Sequence, residues 1–223
     1  MIKLVAFDWD DVFVTGAKEA YFACYHQALE KAGIHLELQV ERDRILSKWG
    51  KSYKAVIDEL LKEHHNKVAE VYAAYEKEFW GNTFIDALSI HEGVQDLLSK
   101  LSKKYILAVA SGNEPKMLKE RIIPHFGFPN VFSQIVTSSE INDHEKTKPH
   151  PYMLDLIMKT QNVSPNETVF VGDAKTDVQM AQNAGATPIV VLSGHLNRRE
   201  AEKLGVKYII DDVRDVEAVL NQL

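Results

Sequence analysis

The chain has 223 residues, 45% of them hydrophobic and 26% charged, and its formal net charge at pH 7 is −6. This size and composition predict a soluble protein of one domain, or of one domain with an insert. The acidic balance argues against a nucleic-acid partner, because proteins that bind nucleic acid usually present a basic face. The single cysteine, Cys24, excludes a disulfide framework and a cysteine-rich zinc site. No signal peptide is recognisable and no apolar run could span a bilayer, so we expect no membrane partner and a cytoplasmic location.

The first predicted element is a short apolar strand over residues 2–7, and the pattern that follows it is helical. Helical periodicity extends over about residues 18–80, with separate helices predicted over residues 17–32, 51–63 and 67–79. A block of helices is therefore expected directly after the first strand.

From about residue 87 the chain alternates between helices and strands. Further strands are predicted over residues 105–110, 132–137, 168–171, 188–192 and 208–210. The intervening helices are predicted over residues 93–101, 116–125, 152–160, 177–184 and 213–220. Such alternation is typical of a parallel sheet with right-handed crossovers, and the strand over residues 2–7 must join that sheet to satisfy its backbone. The sequence therefore predicts an α/β fold whose helical block is an insert.

Two acids follow the first predicted strand. Asp8 and Asp10 are two positions apart, so their side chains point to the same side if the chain is still extended. One carboxylate can act as a nucleophile while the other serves as acid and base. A lone pair of this kind is also common in turns, so its interpretation depends on the motifs further along the chain.

A hydroxyl group follows the second predicted strand of the sheet. Ser111, Gly112 and Asn113 precede Pro115, which suits the first turn of a helix. A hydroxyl and free backbone N–H groups at a helix start can bind an anion. The alternative is that Ser111 or Asn113 is simply a helix cap.

A lysine and two further acids complete the set. Lys148 precedes a turn rich in proline and could neutralise phosphate and carboxylate together, unless it is an ordinary surface lysine. Asp173 ends the strand over residues 168–171, and Asp177 lies four residues further on. Carboxylates on a rigid strand end suit Mg²⁺, whereas acids at a helix start can also be there for the helix dipole.

In this order and strand context, the motifs Asp-x-Asp, Ser, Lys-Pro and Gly-Asp-x-x-x-Asp resemble those of the haloacid dehalogenase superfamily. The resemblance covers nearly the whole chain, and the helical insert resembles the α-helical cap of the phosphoglycolate phosphatase and β-phosphoglucomutase-like branch. It implies a Rossmann-like parallel-sheet core over residues 1–14 and 88–223, with an inserted all-helical cap domain over residues 15–87. Two positions depart from the usual motif, since Asp11 stands where Gly is common and Val12 where Thr is common.

The resemblance implies a Mg²⁺-dependent phosphatase that hydrolyses the phosphomonoester of a small soluble metabolite through an aspartyl-phosphate. Asp8 would be the nucleophile, and Asp10 would protonate the leaving group and then activate water. Ser111 would bind the transferring phosphoryl group, and Lys148 would orient nucleophile and phosphate. The implied metal ligands are Asp8, Asp10 through its carbonyl, Asp173 and, in a supporting position, Asp177.

Residues of two segments are predicted to bind substrate. Gly112 and Asn113 would do so at the helix start after Ser111. Lys48, Gly50 and Lys51 belong to a turn between helices of the insert, which the resemblance implies would face the site. The alternative for this turn is a solvated surface loop.

Three other functions stay open. A phosphomutase on the same scaffold would need a cap histidine shortly after the first motif, where Tyr21 and Phe22 stand and His26 lies about one helical turn further on. A metal-free haloacid dehalogenase would need neither Asp10 nor a cation, and a catalytically silent regulatory protein would need no complete motif set. The substrate and the oligomeric state are not encoded in any pattern that we recognise.

Overall fold

The fold was analysed in a computed structural model, which describes residues 1–48, 52–141 and 143–223. The chain forms two compact units. One consists of Met1–Thr15 together with Ile90–Leu223, and the other is Gly16–Ser89. The chain therefore leaves the first unit after its first strand and returns to it once.

The first unit contains a six-stranded parallel sheet. Numbered along the chain, the strands are β1 (Leu4–Phe7), β2 (Val14–Thr15), β3 (Ser89–Ile90), β4 (Ile106–Ser111), β5 (Phe132–Thr137), β6 (Thr168–Gly172), β7 (Thr187–Val191) and β8 (Tyr208–Ile210). The sheet has the spatial order β5-β4-β1-β6-β7-β8, and β2 and β3 are two-residue strands outside it. The α/β class and the membership of the first strand in the sheet are thus confirmed.

The first strand is central in this sheet. In register, Phe7 aligns with Val109 of β4 on one side and with Val171 of β6 on the other. All four residues of β1 are buried, as expected for a parallel strand covered on both faces. Because the chain connects to opposite sides of β1, the carboxyl end of this strand is a topological switch point, where such sheets bind ligands.

Apart from Ser89 of β3, the regular secondary structure among the described residues of the second unit is helical. Its helices are α1 (Ala17–Lys31), α2 (Leu38–Ser47), α3 (Tyr53–Leu60), α4 (Val68–Trp80) and α5 (Thr83–Asp86). Helices α1 and α4 pack against each other, and the ring of Tyr25 stacks on that of Tyr75 with centroids 4.5 Å apart. The buried carboxylate of Glu78 on α4 forms an ion pair with Lys31 at the end of α1.

Further helices belong to the first unit. They are α6 (Val94–Leu101), a π-helical segment (Met117–Ile122) that continues into α7 (Ile123–His125), α8 (Tyr152–Gln161), α9 (Lys175–Asn183), α10 (Arg198–Lys203) and α11 (Val216–Leu220). Helices α8 and α9 cover the sheet face that carries Leu4 and Ala6 of β1, and Met153 and Met180 are buried there. Of the described helices, none has the length and apolar composition that a bilayer crossing requires.

Candidate active site

The first two acids continue directly from the central strand. The backbone N–H of Asp8 donates to the carbonyl of Val171 at 2.8 Å, so the parallel ladder extends one residue beyond β1. Trp9 is fully buried, and its ring packs against Phe128 with centroids 4.7 Å apart. Because side chains alternate along extended chain, this aromatic anchor directs Asp8 and Asp10 to the opposite side.

A buried lysine joins two of the acids. The Nζ atom of Lys148 lies 2.8 Å from Oδ1 of Asp8 and 2.7 Å from Oδ1 of Asp177. The Lys148 side chain is only 10% exposed, so it is not the ordinary surface lysine that the sequence left open. Burial alone would lower the pKa of Lys148, but the carboxylates of Asp177 and Asp8 outweigh burial and raise that pKa. Lys148 is therefore a fixed positive charge at the carboxyl end of β1.

The two carboxylate oxygens of Asp177 make different contacts. Its Oδ2 atom accepts hydrogen bonds from the backbone N–H groups of Asp173 and Ala174, which begin the first turn of α9. A Cβ atom on Gly172 would lie 2.5 Å from the Asp177 side chain, so only glycine at position 172 permits this approach. The helix-start interpretation is therefore right for Oδ2, while Oδ1 faces Lys148.

Three carboxylates lie close enough to share a cation. Asp8, Asp173 and Asp177 each offer an oxygen, and these atoms lie within 4.8 Å of one another. Oδ1 of Asp177 is buried and, despite its ion pair with Lys148, accepts no well-aligned hydrogen bond from the described residues. Hard oxygen donors of this kind suit Mg²⁺. The residues present therefore fit the predicted ion, and these three could hold it.

The raised pKa of Asp8 also shows that its surroundings disfavour the ionised carboxylate. Burial raises the pKa of Asp8 to about 8, the charge of Lys148 lowers it, and the charges of Asp177 and Asp10 raise it further. One lysine is thus insufficient to keep Asp8 ionised among its acidic neighbours. A divalent cation would supply the remaining charge.

Asp10 is held by the segment that follows β4. The Nδ2 group of Asn113 donates to Oδ2 of Asp10 at 2.9 Å, and the backbone N–H of Asn113 donates to Oγ of Ser111 at 3.1 Å. Burial raises the pKa of Asp10 to about 6, although the Asn113 hydrogen bond opposes that rise. The carboxylate of Asp10 is outside the group of three that could share a cation.

Ser111 and Asn113 do not cap a helix in the way that the sequence left open. Both side chains are buried, Ser111 Oγ accepts from the N–H of Asn113, and the next helical segment begins at Pro115, after Glu114. Gly112 lies between them with open space where a Cβ atom would be. The segment therefore presents a buried hydroxyl and an amide beside Asp10.

The remaining predicted substrate residues belong to the helical unit. Lys48 ends α2, and its Nζ atom lies 3.5 Å from Oε2 of Glu59 within that unit. Gly50 and Lys51 lie outside the described residues, so their predicted role stays a prediction.

The sequence did not single out His195. Its backbone N–H and its Nδ1 atom lie 2.9 Å and 2.8 Å from Oδ2 of Asp173. A sequence pattern could have identified it, because the predicted strand over residues 188–192 is followed directly by Ser193, Gly194 and His195. The selected motifs at Asp8, Ser111 and Asp173 follow strands in the same way. Asp11, noted as a departure from the usual glycine, adopts a left-handed φ of 55° that explains the preference for glycine there.

The raised pKa values predict a pH dependence of stability. Asp8 and Asp10 bind protons more tightly in the folded protein than in the unfolded chain, where the ordinary pKa is 3.8. Their contribution to stability is fully present below about pH 4 and is lost as the pH rises through about 6 and about 8. In the presence of EDTA, the free energy of unfolding of wild type minus that of Asp8→Asn should therefore fall over this range. A difference independent of pH would contradict the burial of an unneutralised Asp8.

Known proteins resemble this chain in sequence and in fold. The profile of the haloacid dehalogenase-like hydrolase family matches residues 5–191. The phosphoglycolate phosphatase of Pseudomonas putida is 27% identical over 125 residues, which cover 56% of this chain and 45% of that protein. The pyrophosphatase PpaX of Bacillus mycoides is 27% identical over 162 residues, which cover 72% of this chain and 65% of that protein. A crystal structure described as a predicted phosphoglycolate phosphatase from Haemophilus somnus superposes with a TM-score of 0.78 at 19% identity, covering 98% of both chains.

These similarities differ in what they establish. The chain spans less than two thirds of the length of the two curated relatives, at 45% and 65%. The structural likeness at 19% identity establishes the fold. The family profile extends over most of the chain and includes the segments of all four motifs. The chain therefore belongs to the haloacid dehalogenase-like hydrolase family.

Proposed function

We propose that the chain is a Mg²⁺-dependent phosphatase that hydrolyses the phosphomonoester of a small metabolite through a phosphoryl group carried on Asp8. The observation that carries this proposal is the position of the Asp8 carboxylate at the end of β1, 2.8 Å from Lys148 and grouped with Asp173 and Asp177. Phosphoryl transfer needs mainly positioning and charge stabilisation, and this arrangement offers both. The names of the two curated relatives support the same class of reaction.

In the first half-reaction, a carboxylate oxygen of Asp8 attacks phosphorus and the bond to the leaving oxygen breaks. Asp10 donates its proton to that oxygen, and a pKa of about 6 leaves part of the population protonated near neutral pH. The hydrogen bond from Asn113 fixes the Asp10 carboxyl group during this step. Because Ser111 Oγ accepts from the Asn113 N–H, its own proton is free to bind a phosphoryl oxygen.

In the second half-reaction, Asp10 is ionised and takes a proton from water. That water attacks the phosphorus of the aspartyl-phosphate, releases inorganic phosphate and regenerates the Asp8 carboxylate. Lys148 holds Asp8 in place and offsets charge on the phosphoryl group. Bound Mg²⁺, held by Asp8 and Asp173 with Asp10 contributing its carbonyl and Asp177 in support, would stabilise the negative charge that the lysine leaves uncompensated.

We assign substrate selection to the helical unit, with Gly112 and Asn113 binding the phosphate end. Lys48, Gly50 and Lys51 are the candidate residues of that unit. A protein with a net charge of −6 needs local positive groups to admit an anionic substrate, and two of these three are lysines.

The direct test is phosphate release by the purified protein. We expect Mg²⁺-dependent hydrolysis of p-nitrophenyl phosphate, and faster hydrolysis of at least one member of a panel of phosphorylated metabolites. The panel should include phosphoglycolate and inorganic pyrophosphate, because the two curated relatives are named as phosphatases of these compounds. If no substrate releases phosphate while the protein is folded, the catalytically silent alternative is favoured.

Removal of the cation should stop the reaction. After EDTA treatment, activity should fall to background and excess Mg²⁺ should restore it, because Lys148 alone does not offset the charge of the acidic group around Asp8. Ca²⁺ should restore activity poorly, since its larger radius and looser coordination would misplace the nucleophile. Full activity after exhaustive chelation, or halide release from 2-chloropropionate, would instead favour the metal-free dehalogenase.

A further inference from the structure

A second group of donors lies on the other side of Asp173. Both contacts from His195 go to Oδ2 of Asp173, one from the backbone N–H and one from the ring. Asp11 completes the group, since its carboxylate, an oxygen of Asp173 and a ring nitrogen of His195 lie within 4.8 Å of one another. Unlike the group around Asp8, this one contains an imidazole nitrogen.

The loop after β7 is built to approach Asp173 closely. A Cβ atom on Gly194 would lie 2.0 Å from Oδ2 of Asp173, so glycine is required at that position. The backbone N–H of Leu196 donates to the Asp173 carbonyl at 2.9 Å, and the hydroxyl of Ser193 donates to the carbonyl of Asp11. The loop is thus fixed to both acids, and it holds the His195 ring beside them although that side chain is 65% exposed.

The charges of this group are not neutralised by a permanent cation. Lys148 contacts Asp8 and Asp177, and no lysine or arginine among residues 1–48, 52–141 and 143–223 forms an ion pair with Asp11 or Asp173. The ring of His195 is the nitrogen group that lies with these two acids.

The spacing suits one metal ion. An octahedral ion with donors at about 2.1 Å separates neighbouring donors by about 3.0 Å and opposite donors by about 4.2 Å. Nδ1 of His195 and Oδ2 of Asp173 are hydrogen-bonded at 2.8 Å, which is close to the shorter of these separations, and a bound ion would replace the proton between them. A nitrogen donor is poorly matched to Mg²⁺, whereas imidazole with carboxylate suits first-row transition metals.

We propose that Asp11, Asp173 and His195 form a second metal site that takes a divalent transition-metal ion such as Ni²⁺ and shares Asp173 with the Mg²⁺ site. In this arrangement the two oxygens of Asp173 serve different ions, with Oδ2 on the side of His195. The site gives the protein a sensitivity to transition metals that is separate from its requirement for Mg²⁺. Its test measures binding, so it can fail while the proposed phosphatase activity stands.

The test is calorimetric titration of tag-free, Mg²⁺-saturated protein with Ni²⁺. We expect one equivalent to bind to wild type, and affinity to fall by at least about tenfold in both His195→Ala and Asp11→Asn. His35→Ala is the matched control, because His35 also contacts a carboxylate, Oε1 of Glu30 at 2.8 Å, and is 71% exposed. Thermal denaturation without metal should confirm that all three variants fold.

X-ray absorption at the nickel edge reports which atoms coordinate Ni²⁺. It therefore distinguishes a His195 that binds the ion from a His195 that only supports the structure. The spectrum of the wild-type complex should contain one imidazole nitrogen, and this signal should be absent in His195→Ala. Unchanged affinity in His195→Ala, an equal loss in His35→Ala, or a wild-type spectrum without imidazole would each overturn the proposal. Ni²⁺ binding that is lost in Asp8→Asn but retained in Asp11→Asn would do the same, because the ion would then occupy the Mg²⁺ site.

Discussion

Phosphate release should fall by roughly 10⁶-fold in Asp8→Asn, the scale on which loss of a nucleophile acts in other hydrolases. The amide keeps the shape of the carboxylate but cannot attack phosphorus. The substitution also removes a buried carboxyl group whose pKa is raised to about 8 by burial. The metal-free variant should therefore be at least as stable as wild type near neutral pH, so the loss of activity will not reflect unfolding.

Asp211→Asn is the matched control for this variant. Asp211 makes an ion pair with Arg198, and its side chain is 79% exposed. Its replacement should leave turnover within about twofold of wild type. Turnover of Asp8→Asn at more than about a thousandth of the wild-type rate would require a different nucleophile.

Lys148→Met should lose both stability and activity. Removing one partner of a buried ion pair leaves its carboxylates uncompensated, which typically costs about 3–5 kcal/mol of unfolding free energy. Here one lysine serves two acids, Asp8 and Asp177, at 2.8 Å and 2.7 Å. Without that charge the pKa of Asp8 rises further, so the nucleophile is protonated at neutral pH and turnover falls with it.

Urea denaturation measures the loss of unfolding free energy in Lys148→Met, and Lys146→Met is the matched control. Lys146 also pairs with an aspartate, Asp143, but its side chain is 47% exposed, so its loss should cost less than about 1 kcal/mol. Adding Asp8→Asn to Lys148→Met should recover part of the lost stability, because folding then no longer requires Asp8 to take up a proton. Equal unfolding free energies for Lys148→Met and Lys146→Met would show that Lys148 is not a buried counter-charge.

The strands of the six-stranded sheet were predictable from the sequence because they are short runs rich in β-branched and other apolar residues. Residues 132–137 and 208–210 were assigned as they occur, in β5 and β8. Three helices, α2, α5 and α10, were not assigned separately. Helix α5 has only four residues, and the other two lack the apolar stripe on which helical prediction depends. Helix α2 buries only Glu41 and Ile45, and the charged helix α10 buries only Ala201.

The positions of most site residues were predictable because these residues follow strands. The contacts between the site residues were not predictable. Nothing local in the sequence indicates that Lys148 bridges Asp8 and Asp177, since the three residues are brought together by the order of the strands. His195 was missed for the same reason, because its contact with Asp173 joins residues that follow the neighbouring strands β6 and β7. The Asn113 contact with Asp10 likewise depends on the pairing of β4 with β1.

The most direct test of the account is to find where the phosphoryl group is carried. In Asp10→Asn, p-nitrophenyl phosphate should still transfer its phosphoryl group, because p-nitrophenolate leaves without a proton. Water cannot then be activated, so the acyl phosphate should accumulate. Rapid acid quenching followed by peptide mass spectrometry should place one phosphoryl group on the peptide that contains Asp8, and none should appear in the Asp8→Asn/Asp10→Asn double variant. A phosphoryl group on any other residue, or none on the protein while substrate is consumed, would contradict Asp8 as the nucleophile.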